Sequence, residues 1–211
     1  MWTRFRYRAF QHIKENLLIY MIILFTFTVG VATGAYTVSA MPDEQKNDLV
    51  QYMNGFIQVL SQDNLDIGHI FRQSLLNNFQ TVALSTALGL TIMGVPFILL
   101  IIGIRGFFIG FTVGFLVGDF GWKGFMIVLF GILPQNILII PTVFLVGVMA
   151  INHGVMKFKQ RKTPRSAEER MRLLIPYLSI MSILFLILIA GTVIESLLIP
   201  SFLKLISGLL K

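Results

Sequence analysis

The chain has 211 residues, 55% of them hydrophobic and 13% charged, with a formal net charge of +7 and no cysteine. Its mean hydropathy is +0.80. About a quarter of a soluble domain's residues are usually charged, so this composition points to a polytopic membrane protein. The lack of cysteine excludes disulfides, thiol catalysis and Cys-ligated metals. The basic excess reads first as a topology signal rather than as nucleic-acid binding.

Residues 1–16 carry Arg4, Arg6, Arg8 and Lys14 against Glu15. Leu17 to Ala40 follows without a charge, long enough to cross a hydrocarbon core of roughly 30 Å. Val38-Ser39-Ala40 resembles a signal-peptidase site, but the apolar run exceeds the usual signal core of about 7–15 residues. It is therefore read as an uncleaved anchor. Residues 41–78 form a polar excursion with Asp43, Glu44, Asp48, Asp63 and Asp66 against Lys46 and Arg72. Within it Leu49, Tyr52, Met53, Phe56, Ile57 and Leu60 recur at helical spacing, which predicts one apolar stripe beside a polar face. Asp43, after Pro42, is the expected N-cap.

A second span is predicted from Phe79 to Ile104, kinked at Pro96 and stopping at Arg105. Residues 106–152 are apolar but interrupted. Residues 153–172 hold seven bases against two acids. A final span is predicted over 173–194, and 195–211 reads as an amphipathic tail lying in the interface. The positive-inside rule puts 1–16, Arg105 and 153–172 in the cytoplasm and 41–78 outside. Residues 106–152 must then cross an even number of times or re-enter. The simplest solution is a short glycine helix of about 20 Å, a turn at the DFGWKG stretch and a broken fourth helix. A turn at Pro134-Gln135-Asn136 instead would bury Asp119 and Lys123 at high cost. The expectation is an all-α, polytopic transmembrane helical bundle of about five membrane segments. It forms a single integral membrane domain in the cell membrane, with the N-terminus cytoplasmic.

Gly106, Gly110, Gly114 and Gly118 stand four residues apart, so they share one helical face. Gly30 and Gly34 repeat the spacing in the first span. Such faces let another helix backbone approach closely in lipid. The expected role is internal packing; a subunit interface, which would permit a homodimer, and a pore wall are the alternatives. Pro134, Gln135 and Asn136 break the fourth helix. Their amides can satisfy freed carbonyls or bind a polar ligand, as broken helices do in transporters.

Catalytic constellations are missing. His12, His69 and His153 are isolated and read as surface or interfacial residues. Asp119 lacks the second carboxylate that an aspartyl site needs, and Glu195 lies near a helix end. No nucleophile elbow, Walker loop or dinucleotide fingerprint occurs. The expectation is a protein that is not an enzyme, needs no cofactor or metal, contacts membrane lipid and binds no nucleic acid.

The run from Gly110 through Gly-Trp-Lys-Gly-Phe to Phe125, then Pro134-Gln135-Asn136 and Ile137 to Pro141, resembles the stage II sporulation protein M family of endospore-forming bacteria. Phe71 to Asn78 also fits, and the likeness covers essentially the whole chain. The resemblance implies a membrane scaffold in the mother-cell or septal membrane during engulfment. It further implies that stage II sporulation proteins P and D, which carry the wall-cutting activities, are its partners. The 41–78 segment would then dock a partner through Leu49, Met53, Phe56 and Leu60; a helix lying on the bilayer or on the bundle itself is the alternative. A small channel or transporter built around 124–152 is the second functional reading.

Overall fold

The computed structural model describes residues 11–62, 67–159 and 167–209, and every regular element among them is helical. A helical turn at 11–15 leads into α1 (Leu17–Ser39). α1 ends where Pro42 biases the residue before it away from helical angles. α2 (Asp43–Gln62) begins at once, with Asp43 and Glu44 inside its first turn, where the helix dipole favours acids. Asp43 is thus the first helical residue rather than the cap before it.

α3 (Ile67–Leu88) starts inside the polar excursion and stops at Gly89, so the expected single span from 79 to 104 is two helices. The turn between them holds itself together locally. Gly89 N donates to Ser85 O at 2.9 Å and Thr91 N to Leu88 O at 3.1 Å, and a short 3-10 turn covers Ile92–Gly94. A Cβ on Gly89 would lie 2.8 Å from Ala150 Cα, and one on Gly94 would strike the Leu88 carbonyl. The apolar side chains of Leu90 and Ile92 hide this turn from a hydropathy reading. Pro96 falls in the first turn of the next helix, where its missing N–H is one of the orphans anyway. It starts a helix and does not kink one.

α4 (Val95–Ile127) contains one non-helical residue, Gly121, with φ 54° and ψ −127°. Beyond it the chain doubles back: a Cβ on Gly124 would strike the Leu116 carbonyl. The reversal expected in the DFGWKG stretch is therefore present. However, Gly106 to Gly118 belongs to a long helix and is not a short one of its own. Arg105 lies within that helix, about ten residues from its start, and not at a boundary. A π turn (Val128–Ile132) leads to α5 (Leu133–Lys159), which contains Pro141. α6 (Ala167–Leu209) runs unbroken past residue 195, so the tail prolongs the last helix. Among the described residues, three stretches are long and apolar enough to cross a membrane: Leu17–Ser39, Ile92–Lys159 and Met171–Ile194. The middle one is folded on itself at Gly121.

The helices pack as a bundle. α1 and α4 run parallel, with Phe27, Val31 and Ala35 facing Gly106, Gly110 and Gly114 in the same order. α3 and α6 are antiparallel, since Asn78 meets Thr192 and Thr86 meets Tyr177. The main core joins Ile23 of α1, Ile98 and Ile102 of α4, Val146 and Val148 of α5, and Leu188 of α6. A second cluster of Val38, Phe115, Leu116 and Val128 closes the end of the bundle near Gly121.

Candidate functional site

The glycine face is consumed inside the chain. A Cβ on Gly106 or Gly110 would strike the carbonyl of Phe27 or Val31, and one on Gly30 or Gly34 would strike that of Gly103 or Phe107. Side-chain-free positions on both helices thus let the two backbones touch, which is how small residues drive association in lipid. Gly114 continues the contact more loosely, 3.1 Å from Ala35 Cα by the same test. Gly118 is not in it: nothing lies within 4 Å of its Cβ direction.

Arg105 projects from the middle of α4 toward α3. Its Nη2 donates to Asn78 Oδ1, and Asn78 Nδ2 donates to Thr192 Oγ1 at 2.9 Å. Thr192 Oγ1 donates in turn to the Leu188 carbonyl at 2.9 Å. Because a guanidinium can only donate, Asn78 must present its oxygen to Arg105 and its nitrogen to Thr192. One buried asparagine therefore ties α4 to α6 across α3. Asn78 is 2% and Thr192 0% exposed, so that half of the line is buried, while Arg105 is partly buried.

Beside it lies a cleft of about 520 Å³ between α3, α4 and α5, with Arg105, Asn77, Asn78, Gln80, Gln135 and Asn136 among its lining. The two amides of the Pro134-Gln135-Asn136 break divide the tasks expected of them. Asn136 Nδ2 donates to the Ile132 carbonyl at 2.8 Å, satisfying the backbone at the π turn. Gln135 is buried, and its Oε1 has no hydrogen-bond partner among the described residues.

At the Gly121 end, α2 packs on the second cluster through Leu49, Val50 and Met53. Tyr52 points away and is exposed. The side chains of Phe56 and Leu60 lie outside the described residues, as does that of Glu195. At the opposite end His153 is buried and stacks on Tyr177 with centroids 4.1 Å apart, which corrects its reading as a surface or interfacial residue. Tyr177 also donates to the Thr86 carbonyl at 2.9 Å. His12 lies beside the Tyr20 hydroxyl at 3.4 Å. Asp119 and Lys123 are both exposed, and Gly121 between them breaks the helical register that would pair them.

Set against known proteins, the chain matches the family model described as stage II sporulation protein M, SpoIIM, over residues 22–200. The chain belongs to that family. The SpoIIM match runs from the first turns of α1 into α6 and takes in the glycine face, the Gly121 reversal and the polar cleft. No curated protein and no solved structure matches the chain. What the sequence reading of this SpoIIM protein missed is the Arg105–Asn78–Thr192 line. In the sequence Arg105 marks the end of a span because a cation commonly does, whereas the Asn77-Asn78 pair with Gln80 signals polar residues inside one.

Proposed function

We infer from its SpoIIM membership that the chain acts as a sporulation membrane protein. We propose that it is a non-enzymatic scaffold that crosses the membrane five times, with the N-terminus in the cytoplasm. It holds wall-cleaving partners, stage II sporulation proteins P and D, at the engulfing mother-cell membrane. The crossings are α1, the two arms around Gly121 and α6, together with the less apolar α3, which packs on α6. The observation that carries the reading is the seating of α2. Leu49, Val50 and Met53 clamp it to the outer end of the bundle, which leaves Tyr52 exposed beside Glu44 and Asp48. A polar, acidic helix held in one orientation is a platform for another protein. Its acids repel an anionic lipid surface. Leu49 and Met53 of the expected docking stripe are taken up by the bundle, and the side chains of Phe56 and Leu60 lie outside the described residues.

The test is a mild-detergent pulldown of tagged protein from sporulating cells. The wild type should bring down the two partners. A variant with Tyr52→Ala, Glu44→Lys and Asp48→Lys should lose at least about nine-tenths of them at equal membrane levels. Charged replacements at Phe56 and Leu60 should act in the same direction. Full recruitment by a stably inserted variant would remove this surface. The amide lining of the cleft is the observation behind the second reading, a small channel or transporter. That reading requires solute flux through the reconstituted protein.

A further inference from the structure

α3 and α4 leave the 89–94 turn and part, α3 packing on α6 and α4 on α1. The cleft fills the opening between them, with α5 as its floor. Its rim is apolar and faces sideways out of the bundle: Leu84 is 55%, Ile104 46% and Phe108 63% exposed. Its interior is amide-rich. Gln135 on the floor is only 9% exposed, yet its side chain makes no hydrogen bond among the described residues. Asn77 and Gln80 stand exposed on the same side of α3.

We propose that this cleft receives one transmembrane helix of a partner protein, entering sideways and carrying an amide, hydroxyl or carboxyl side chain near the middle of its span. The inference deepens the scaffold reading and rests on it. Depth selects the occupant. Asn78 and Arg105 each lie ten residues from the 89–94 turn, about 15 Å along their helices. In a hydrocarbon core of roughly 30 Å that is near the midplane. Lipid tails offer nothing to an amide there, and an unsatisfied polar group in hydrocarbon is costly. A lipid headgroup stays at the interface. A polar side chain on a membrane-spanning helix is delivered at that depth by its own backbone. Gln135, with both a donor and an acceptor unused, accepts any of the three side-chain types. The sideways-facing apolar rim suits the flanks of a helix and not a soluble solute.

The experiment co-expresses full-length tagged protein with each proposed partner in turn. It compares the wild type with a Gln80→Leu and Gln135→Leu double variant. Neither glutamine bonds another described group, so the variant should fold, which size-exclusion chromatography of the solubilised protein checks. The expected result is an about tenfold or greater drop in copurified partner. Replacing the partner's membrane-spanning helix by polyleucine should produce the same drop. Because the chain has no cysteine, Gln80→Cys supplies a single thiol. Disulfides to cysteines stepped along the partner helix should recur every third or fourth position, and Phe25→Cys on the exposed face of α1 should form none. Undiminished copurification by the double variant overturns the cleft inference and leaves the scaffold reading standing. Self-crosslinking through Gln80→Cys without partner crosslinks overturns it in favour of a second copy. Solute flux abolished by Gln135→Leu overturns it in favour of transport. Failure of the wild type to bring down either partner removes the scaffold reading, and this inference falls with it.

Discussion

At Gly121 the backbone sits at φ 54° and ψ −127°, a region that side chains bearing a Cβ rarely enter. No atom lies within 4 Å of the Cβ direction, so the requirement for glycine is one of backbone angle alone. Gly121→Ala should therefore lower stability by about 1–3 kcal/mol, read as a lower midpoint in a thermal melt of the solubilised protein. The ladder glycines are required for the opposite reason, space. Gly110→Val places carbon where the Val31 carbonyl already is, and its cost should be roughly 1–3 kcal/mol or more. Gly118→Ala meets nothing and sits at an ordinary helical angle, so its midpoint should be unchanged or raised by the equivalent of up to about 1 kcal/mol. A strong loss at Gly118 would show that the ladder contacts something beyond this chain. The four-residue spacing made the common face legible in the sequence. That only part of it is used follows from the two helices drawing apart: the Cβ direction strikes a carbonyl at Gly106 and Gly110, meets Ala35 Cα at 3.1 Å at Gly114 and meets nothing at Gly118, although Ser39 of α1 is next in register.

At the scale of elements, pairs of helices are joined by two kinds of contact. α1 and α4 meet backbone to backbone, whereas α3, α4 and α6 meet through Asn78. Asn78→Leu keeps the branched outline but leaves the Arg105 guanidinium without that acceptor. The expected loss is about 1–3 kcal/mol. Thr192→Val removes only the far end of the line, so it should cost less, about 1 kcal/mol, because Arg105 keeps its partner. Equal effects in melts of the two variants would mean that Asn78 acts through packing and not through its bond to Arg105. The sequence offered Arg105 as a boundary because hydropathy treats each residue in isolation. Its place inside α4 depends on an asparagine 27 positions earlier in the chain. The elements on either side of Arg105 differ from expectation for the same reason. The real turn at 89–94 is built by two glycines that fit against Ala150, Tyr177 and Leu88, contacts that no local pattern announces.

At the scale of the whole molecule, the helix directions sort the connections into two ends. The α1–α2 junction and the Gly121 reversal share one end; the 89–94 turn and the basic end of α5 share the other. With the proposed orientation, a membrane-impermeant maleimide on intact spheroplasts should label Glu44→Cys and Asp119→Cys. It should spare Thr91→Cys and Lys157→Cys until the membrane is opened; all four positions are exposed. Labelling of Thr91→Cys together with Glu44→Cys would break the five-crossing topology.

The amino-acid sequence by itself determined the class of molecule, the first and last apolar helices, the basic and acidic segments, the glycine face and the reversal near Gly121. Each of these is written in local composition or in a fixed spacing, which the chain carries whatever it packs against. The tertiary structure alone decided that the glycine face is spent on α1 and that Pro96 opens a helix. It also placed His153 on Tyr177, and Arg105 and Gln135 in one cleft. Those outcomes depend on which helices become neighbours, and burial of a polar side chain is worth its cost only where a distant residue arrives to meet it.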